Sequence, residues 1–215
     1  SKQYAGIRLE RQKKYLPFMV AEGCSFYDLY QQRFADNIGQ LMNAAMRQIE
    51  ADNNQQLAGV LSAVDYNSEN ALGTREHKNA ILRDLLEDFE PLDLRPSAIE
   101  VKEGQVPADV IGDAYEYMIG QFASMAGKKA GSFYTPAAVS EIMARIVDVQ
   151  PGERVYDPTC GSGSLLIKAA KKQNSKEVSI YGQEVNGSSV AMAKMNMYIH
   201  EIRDAKIGWG DTLAN

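Results

Sequence analysis

The sequence holds only two cysteines, Cys24 and Cys160, and two histidines, His77 and His200. Two cysteines cannot make a disulfide framework, and Cys24, Cys160, His77 and His200 are too scattered to form a zinc signature, so no zinc cluster is expected. No run of about 18 apolar residues is present, the length a membrane-crossing helix needs. The opening segment SKQYAGIRLERQKK lacks the apolar core of a secretory signal, so a cytoplasmic protein is expected. An excess of positive charge is missing too: the net charge is −5 and the pI about 5.2. Phosphate binding favours a basic patch, so the balance argues against a chain that grips DNA unaided. It does not argue against a subunit that leaves DNA contact to a partner.

What is there is ordinary globular material: 215 residues, 45% hydrophobic and 24% charged, enough for one large domain or two small ones. The first half is helical in pattern. Ser25 and Asp28 have the spacing of a capping box. Phe34, Ile38, Leu41, Met42, Ala45 and Ile49 recur at three- and four-residue steps, predicting one buried helical face. The run DNNQQ (52–56) interrupts it, and Thr74 starts another helix with Ile81, Leu82, Leu85, Leu86 and Phe89 on its apolar side. The proline-containing stretch 90–107 reads as a connector. A strong helix follows, carrying Val110, Ile111, Ala114, Tyr115, Met118 and Phe122 and closing near Gly127.

Beyond it the pattern changes. Thr135 is expected to cap a helix with Pro136 at its first position, and Val139, Ile142, Met143 and Ile146 to face inward. ERVYDP, EVSIYGQE and AKIGWGD then read as short strands alternating with helices, the signature of a wound parallel sheet. Ligands in such sheets bind at the carboxyl ends of the strands, near Asp157, Glu184 and Asp211.

Between the first strand and its helix stands YDPTCGSGSLLIKAA (156–170). Gly161 and Gly163 suit a tight turn and close approach of backbone to ligand. A dinucleotide fingerprint would place a third glycine at Leu166, and a P-loop would need Lys followed by Ser or Thr near Leu165 and Leu166. Both phosphate-centred readings are weakened. A ligand with an amino-acid end and no phosphate, such as S-adenosylmethionine, fits better. Glu184 would accept hydrogen bonds from its ribose hydroxyls, and Asp211 would receive its adenine amino group. Structural alternatives stand beside these: the glycines turn the chain, Cys160 packs in the turn without acting as a nucleophile, the histidines are surface or packing residues, and the triplet Tyr115, Glu116 and Tyr117 is mainly structural.

GSFYTP, VYDPTCGSGSLLIKA, YGQEVN, AKMNMYIHEI and GDTL, in that order, resemble the N6-adenine DNA methyltransferase (M) subunit of type I restriction–modification systems. The upstream DVIGDAYEYMIGQFASMAGKKAG is similar as well, and the resemblance runs from about Leu57 to the end. It implies a helical N-terminal domain with its connector (1–107), followed by the first part of a Rossmann-like α/β methyltransferase domain that binds S-adenosylmethionine (108–215). Ser132, Phe133, Tyr134, Thr135 and Pro136 match the segment that holds the methionine end of the cofactor. Asp157, Pro158, Gly161, Ser162 and Gly163 match the cofactor loop, Glu184 the ribose-binding acid and Asp211 the residue beside adenine.

The family's catalytic signature, Asn-Pro-Pro followed by Phe or Tyr, occurs nowhere in this sequence. It is expected after GDTL, past Asn215 in a chain that reads as trimmed, so no catalytic residue is assigned and the polypeptide alone should be inactive. The resemblance further implies DNA as substrate, with a second M subunit, a specificity (S) subunit and a restriction (R) subunit as partners. A methyltransferase acting on a protein glutamine, a nucleotide-binding oxidoreductase domain and a non-enzymatic assembly module are the rival readings. A sheet begun but not continued leaves an open edge and exposed apolar surface, so the chain is expected to self-associate. Light scattering across a concentration series measures this; a strict monomer at every concentration contradicts it.

Overall fold

The computed structural model describes residues 19–95, 97–126, 131, 133–171 and 177–214. The chain forms two compact units, Ser1–Leu92 and Asp93–Asn215.

The described part of the first unit is helical. α1 (Phe26–Gln31) starts at the expected capping box: Asp28 N–H donates to Ser25 Oγ at 3.2 Å, and Ser25 N–H donates back to Asp28 Oδ2 at 3.0 Å. The chain then breaks before α2 (Ile38–Asp52), so Phe34 stands outside the helix it was expected to join and is exposed. Arg33 lies over its ring. Ile38, Met42, Ala45 and Ile49 form the buried stripe as read. Asn53 ends α2, and after α3 (Asn54–Leu57) and α4 (Glu69–Leu72) comes α5 (Arg75–Phe89), capped by Thr74. Leu82 and Leu86 of α5 close on Leu29, Ile38, Met42 and Ala45 to make this unit's core.

The second unit opens with an irregular stretch and α6 (Pro107–Ala126). Then come α7 (Ala137–Val147), β1 (Arg154–Asp157), α8 (Ser164–Lys171), β2 (Ser179–Glu184), α9 (Gly187–Ile199) and β3 (Lys206–Trp209). The three strands are parallel in the order β1-β2-β3, with Val155 opposite Ile180 and Gly182 opposite Ile207. The expected alternation of strand and helix is present. Leu166, Ile167, Ala170, Ile180, Ala193 and Met197 fill the core between sheet and helices.

Two details of α7 differ from the sequence reading. Pro136 itself is the N-cap, without a side-chain cap bond, and Thr135 sits one residue before it. The buried face is Ser140 and Ala144, while Val139, Ile142, Met143 and Ile146 point outward. Small residues allow α7 to lie close against α8, a gain in dispersion contact that the larger side chains on the adjoining face would prevent.

His200, at the end of α9, packs against α6 where Gly112 leaves room; a Cβ at Gly112 would come within 2.0 Å of the imidazole. Its side chain is 1% exposed. Burial first, then the neighbouring ammonium of Lys171, push its pKa down to about 4, with Lys168 adding to the effect and Asp109 opposing it. Glu116 is the other charged group beside it, with Oε1 at 4.0 Å from Nε2. An unfolded histidine takes up its proton near pH 6.5, well before the folded one does, so stability is complete above that pH and falls as pH drops toward 4. Urea unfolding between pH 7 and 4.5 should show a loss of about 2–3 kcal/mol. The slope should largely vanish in His200→Gln; an unchanged slope in that variant would assign the loss to other groups.

Candidate functional site

The site is built at the carboxyl end of β1. After Asp157 the chain turns through Pro158–Gly163 and enters α8 at Ser164. Gly161 (φ +53°) and Gly163 (φ +77°) both lie in the left-handed region that favours glycine. Space is short as well: a Cβ at Gly161 would stand 3.0 Å from the Phe133 carbonyl oxygen, while at Gly163 the near atom, 2.9 Å away, is Met197 Cε, the movable end of a flexible side chain.

Hydrogen bonds from several elements hold this turn. Ser162 N–H donates to the Phe133 carbonyl at 2.9 Å, which ties the turn to the upstream segment FYTP. Gly161 N–H donates to Glu184 Oε2 at 3.0 Å, while Glu184 Oε1 accepts from Asn186 N–H at 2.8 Å. Glu184 is 6% exposed. It therefore clamps the turn after β1 to the turn after β2, and each oxygen retains acceptor capacity for a further donor. From below, Asn196 Nδ2 donates to the Ser162 carbonyl at 3.0 Å. Asn196 is wholly buried and was not singled out in the sequence reading; its place among the apolar residues of α9 is the signal that could have found it.

Two cavities border the turn. One of about 200 Å³ is lined by Phe133, Tyr134, Thr135, Asp157, Gly161 and Ser162 among others. The second, about 470 Å³, lies between α6 and α8 and shares Tyr134, Thr135 and Ser164 with the first. The structure thus brings the FYTP segment and the glycine turn together. Pro158 and Gly163 lie in the turn, Pro136 is the cap of α7, and Glu184 sits beneath the turn; none of these lines either cavity. Ser132 falls outside the described residues. Asp211 lies past β3, accepting from Leu213 N–H at 2.9 Å, while neighbouring Thr212 donates to the Pro158 carbonyl at 2.6 Å.

Asp113, Glu116 and Lys168, which line the larger cavity, carry charge that the sequence reading did not assign to the site. The signal was present: Asp113, Glu116, Gly120, Gln121 and Ser124 recur at helical spacing along α6. Cys160 is buried in the turn, 6% exposed. Desolvation, followed by the nearby charges of Asp157 and Glu184, pushes its thiol up to about 12, which makes it inert rather than nucleophilic.

The family described as N-6 DNA Methylase matches residues 106–215, and the HsdM N-terminal domain matches residues 1–89. The likeness therefore reaches nearer the start of the chain than the motifs indicate. The chain is 39% identical over 145 residues to the type I restriction enzyme MpnII methylase subunit of Mycoplasma pneumoniae, covering 64% of this chain and 26% of that protein. It is 32% identical to the MjaVIII methylase subunit of Methanocaldococcus jannaschii, covering 84% of this chain and 30% of that one. Among solved structures, the type I restriction–modification methyltransferase subunit of Streptococcus thermophilus superposes with a TM-score of 0.69 at 29% identity. That match covers 94% of this chain and 42% of the other. The chain thus spans less than half the length of each of these relatives.

The burial of Cys160 is open to a direct test. At pH 8 a thiol reagent should label Cys24 in the folded protein and reach Cys160 only after denaturation. Rapid labelling of both would contradict the raised pKa.

Proposed function

This chain belongs to the N-6 DNA methylase family, and from that premise we propose that its second unit is the S-adenosylmethionine-binding part of a type I DNA methyltransferase subunit. The whole protein transfers a methyl group from that donor to N6 of adenine in DNA. The observation that carries the reading is the junction of FYTP with the glycine turn through the Ser162–Phe133 bond, over a Glu184 clamp. Gly161 and Gly163, both in the left-handed region that favours glycine, fit a ligand that lies against backbone. The buried Leu166, where a third glycine would stand, counts against a dinucleotide.

When bound, S-adenosylmethionine supplies an electrophilic methyl group. The residues of this chain bind and orient it. Phe133, Tyr134 and Thr135, with Ser132 and Pro136 on either side, hold the methionine end. Asp157, Pro158, Gly161, Ser162 and Gly163 form the loop beneath it. Glu184, already holding two amides, uses its remaining acceptor capacity for ribose, and Asp211 receives the adenine amino group. No Asn-Pro-Pro-Phe/Tyr stretch occurs in these 215 residues, and the polypeptide alone is expected to be inactive.

The functional division we propose is a helical domain with its connector over 1–107 and the cofactor domain over 108–215. Partners follow from the same reading: a second M subunit, an S subunit that reads the DNA sequence and an R subunit. A net charge of −5 supports leaving sequence reading to a partner. Among the described residues no helix is long and apolar enough to cross a membrane, which supports a cytoplasmic place.

Calorimetric titration of the chain with S-adenosylmethionine tests the reading. Saturable binding is expected, weakened about tenfold or more (~1.4 kcal/mol) in Glu184→Ala, with no binding of NAD. Binding of NAD in its place would move the site to the oxidoreductase reading.

A further inference from the structure

The larger cavity holds charges of both signs that the cofactor reading leaves without a role. Glu116 and the exposed Asp113 reach it from one face of α6, and Lys168 reaches it from α8. Lys168 Nζ stands 3.4 Å from Glu116 Oε2, with the side chains 21% and 17% exposed. Ionic hydrogen bonds between such groups close to about 2.7–2.9 Å, so this pair is loose. The other Glu116 oxygen is buried without a hydrogen-bond partner. A half-satisfied, largely buried pair is a costly arrangement for stability alone, since desolvation is repaid only by good geometry and further hydrogen bonds.

We propose that this cavity receives the α-amino-acid end of the methyl donor, with Glu116 and Asp113 facing the ammonium and Lys168 facing the carboxylate. The assignment rests on the cofactor reading above and extends it to three residues that the resemblance gives no cofactor role. Size is the first argument. The 200 Å³ cavity at the glycine turn falls below the range of about 300–1,000 Å³ usual for ligands of this kind. Its neighbour shares Tyr134, Thr135 and Ser164 with it, so a ligand seated at the turn has the second space directly beside it.

Charge is the second argument. A zwitterion brings one charge of each sign, so Lys168 and Glu116 exchange their loose mutual contact for one ligand partner each, and neither is left unpaired. A ligand of a single charge would strand one of them in a mostly buried place. Two carboxylates against one ammonium also leave the lining with a net negative charge, which complements a donor whose ammonium and sulfonium outweigh its carboxylate.

The test is calorimetric titration of the whole 215-residue chain with S-adenosylmethionine and with 5′-methylthioadenosine, which keeps the nucleoside but lacks the amino-acid end. In Glu116→Gln and Lys168→Met the first ligand should bind about tenfold or more weakly, with the second unchanged within about twofold. Urea unfolding of the variants checks that the fold is intact. Unchanged affinity for S-adenosylmethionine, or equal weakening of both ligands, overturns the assignment and makes the pair structural. A wild-type chain that binds both ligands with equal affinity overturns it as well, while the cofactor reading survives. A wild-type chain that binds neither ends both readings.

Discussion

The hydrogen bond from Gly161 N–H to the buried carboxylate of Glu184 is the constraint on which the second unit depends. It crosses from the turn after β1 to the last residue of β2, and Glu184 spends its second oxygen on the amide of Asn186, the cap of α9. One side chain therefore fixes where two turns end and where a helix begins. Charge-assisted bonds of this kind are short and about twice as strong as neutral ones. Removing the carboxylate would leave two amides short of an acceptor, so the geometry of the turn and the presence of the acid cannot be varied separately.

The remaining supports of the turn converge on the same few residues from other elements. The Phe133 carbonyl accepts from Ser162 N–H, and Asn196 donates to the Ser162 carbonyl from α9. Met197 packs where a side chain on Gly163 would have to go. A ligand lying on this turn meets backbone that is held from three directions, which lowers the ordering cost of binding. The same convergence explains why Cys160, in the middle of the loop, is a packed thiol: the space around it is already filled.

The two faces of α7 show how packing overrides hydrophobic pattern. Periodicity allows two stripes on this helix, one of large apolar residues and one of Ser140 and Ala144. Transfer free energy favours burying the first. The tight approach of α7 to α8 selects the second, and Val139, Ile142 and Ile146 are left on the surface. Phe34 is a smaller instance, placed outside α2 because the helix breaks between Gln32 and Asn37, and it stays exposed with the Arg33 guanidinium over its ring. In α7 the neighbour that decided the outcome was remote in sequence, whereas at Phe34 the break in the helix is local.

Local chemistry determined what the sequence alone could carry. The capping box at Ser25, the stripe of Ile38, Met42, Ala45 and Ile49, the Thr74 cap and the alternation of strands with helices depend on residues within one or two turns of each other. The motif order from GSFYTP to GDTL likewise carried the family. Tertiary structure alone decided that Phe133 meets Ser162, that Glu184 serves the turn as a clamp, that His200 needs Gly112, and that Asp113, Glu116 and Lys168 share a cavity. Those relations join residues about twenty to ninety positions apart, and no periodicity of 2 or 3.6 reaches that far.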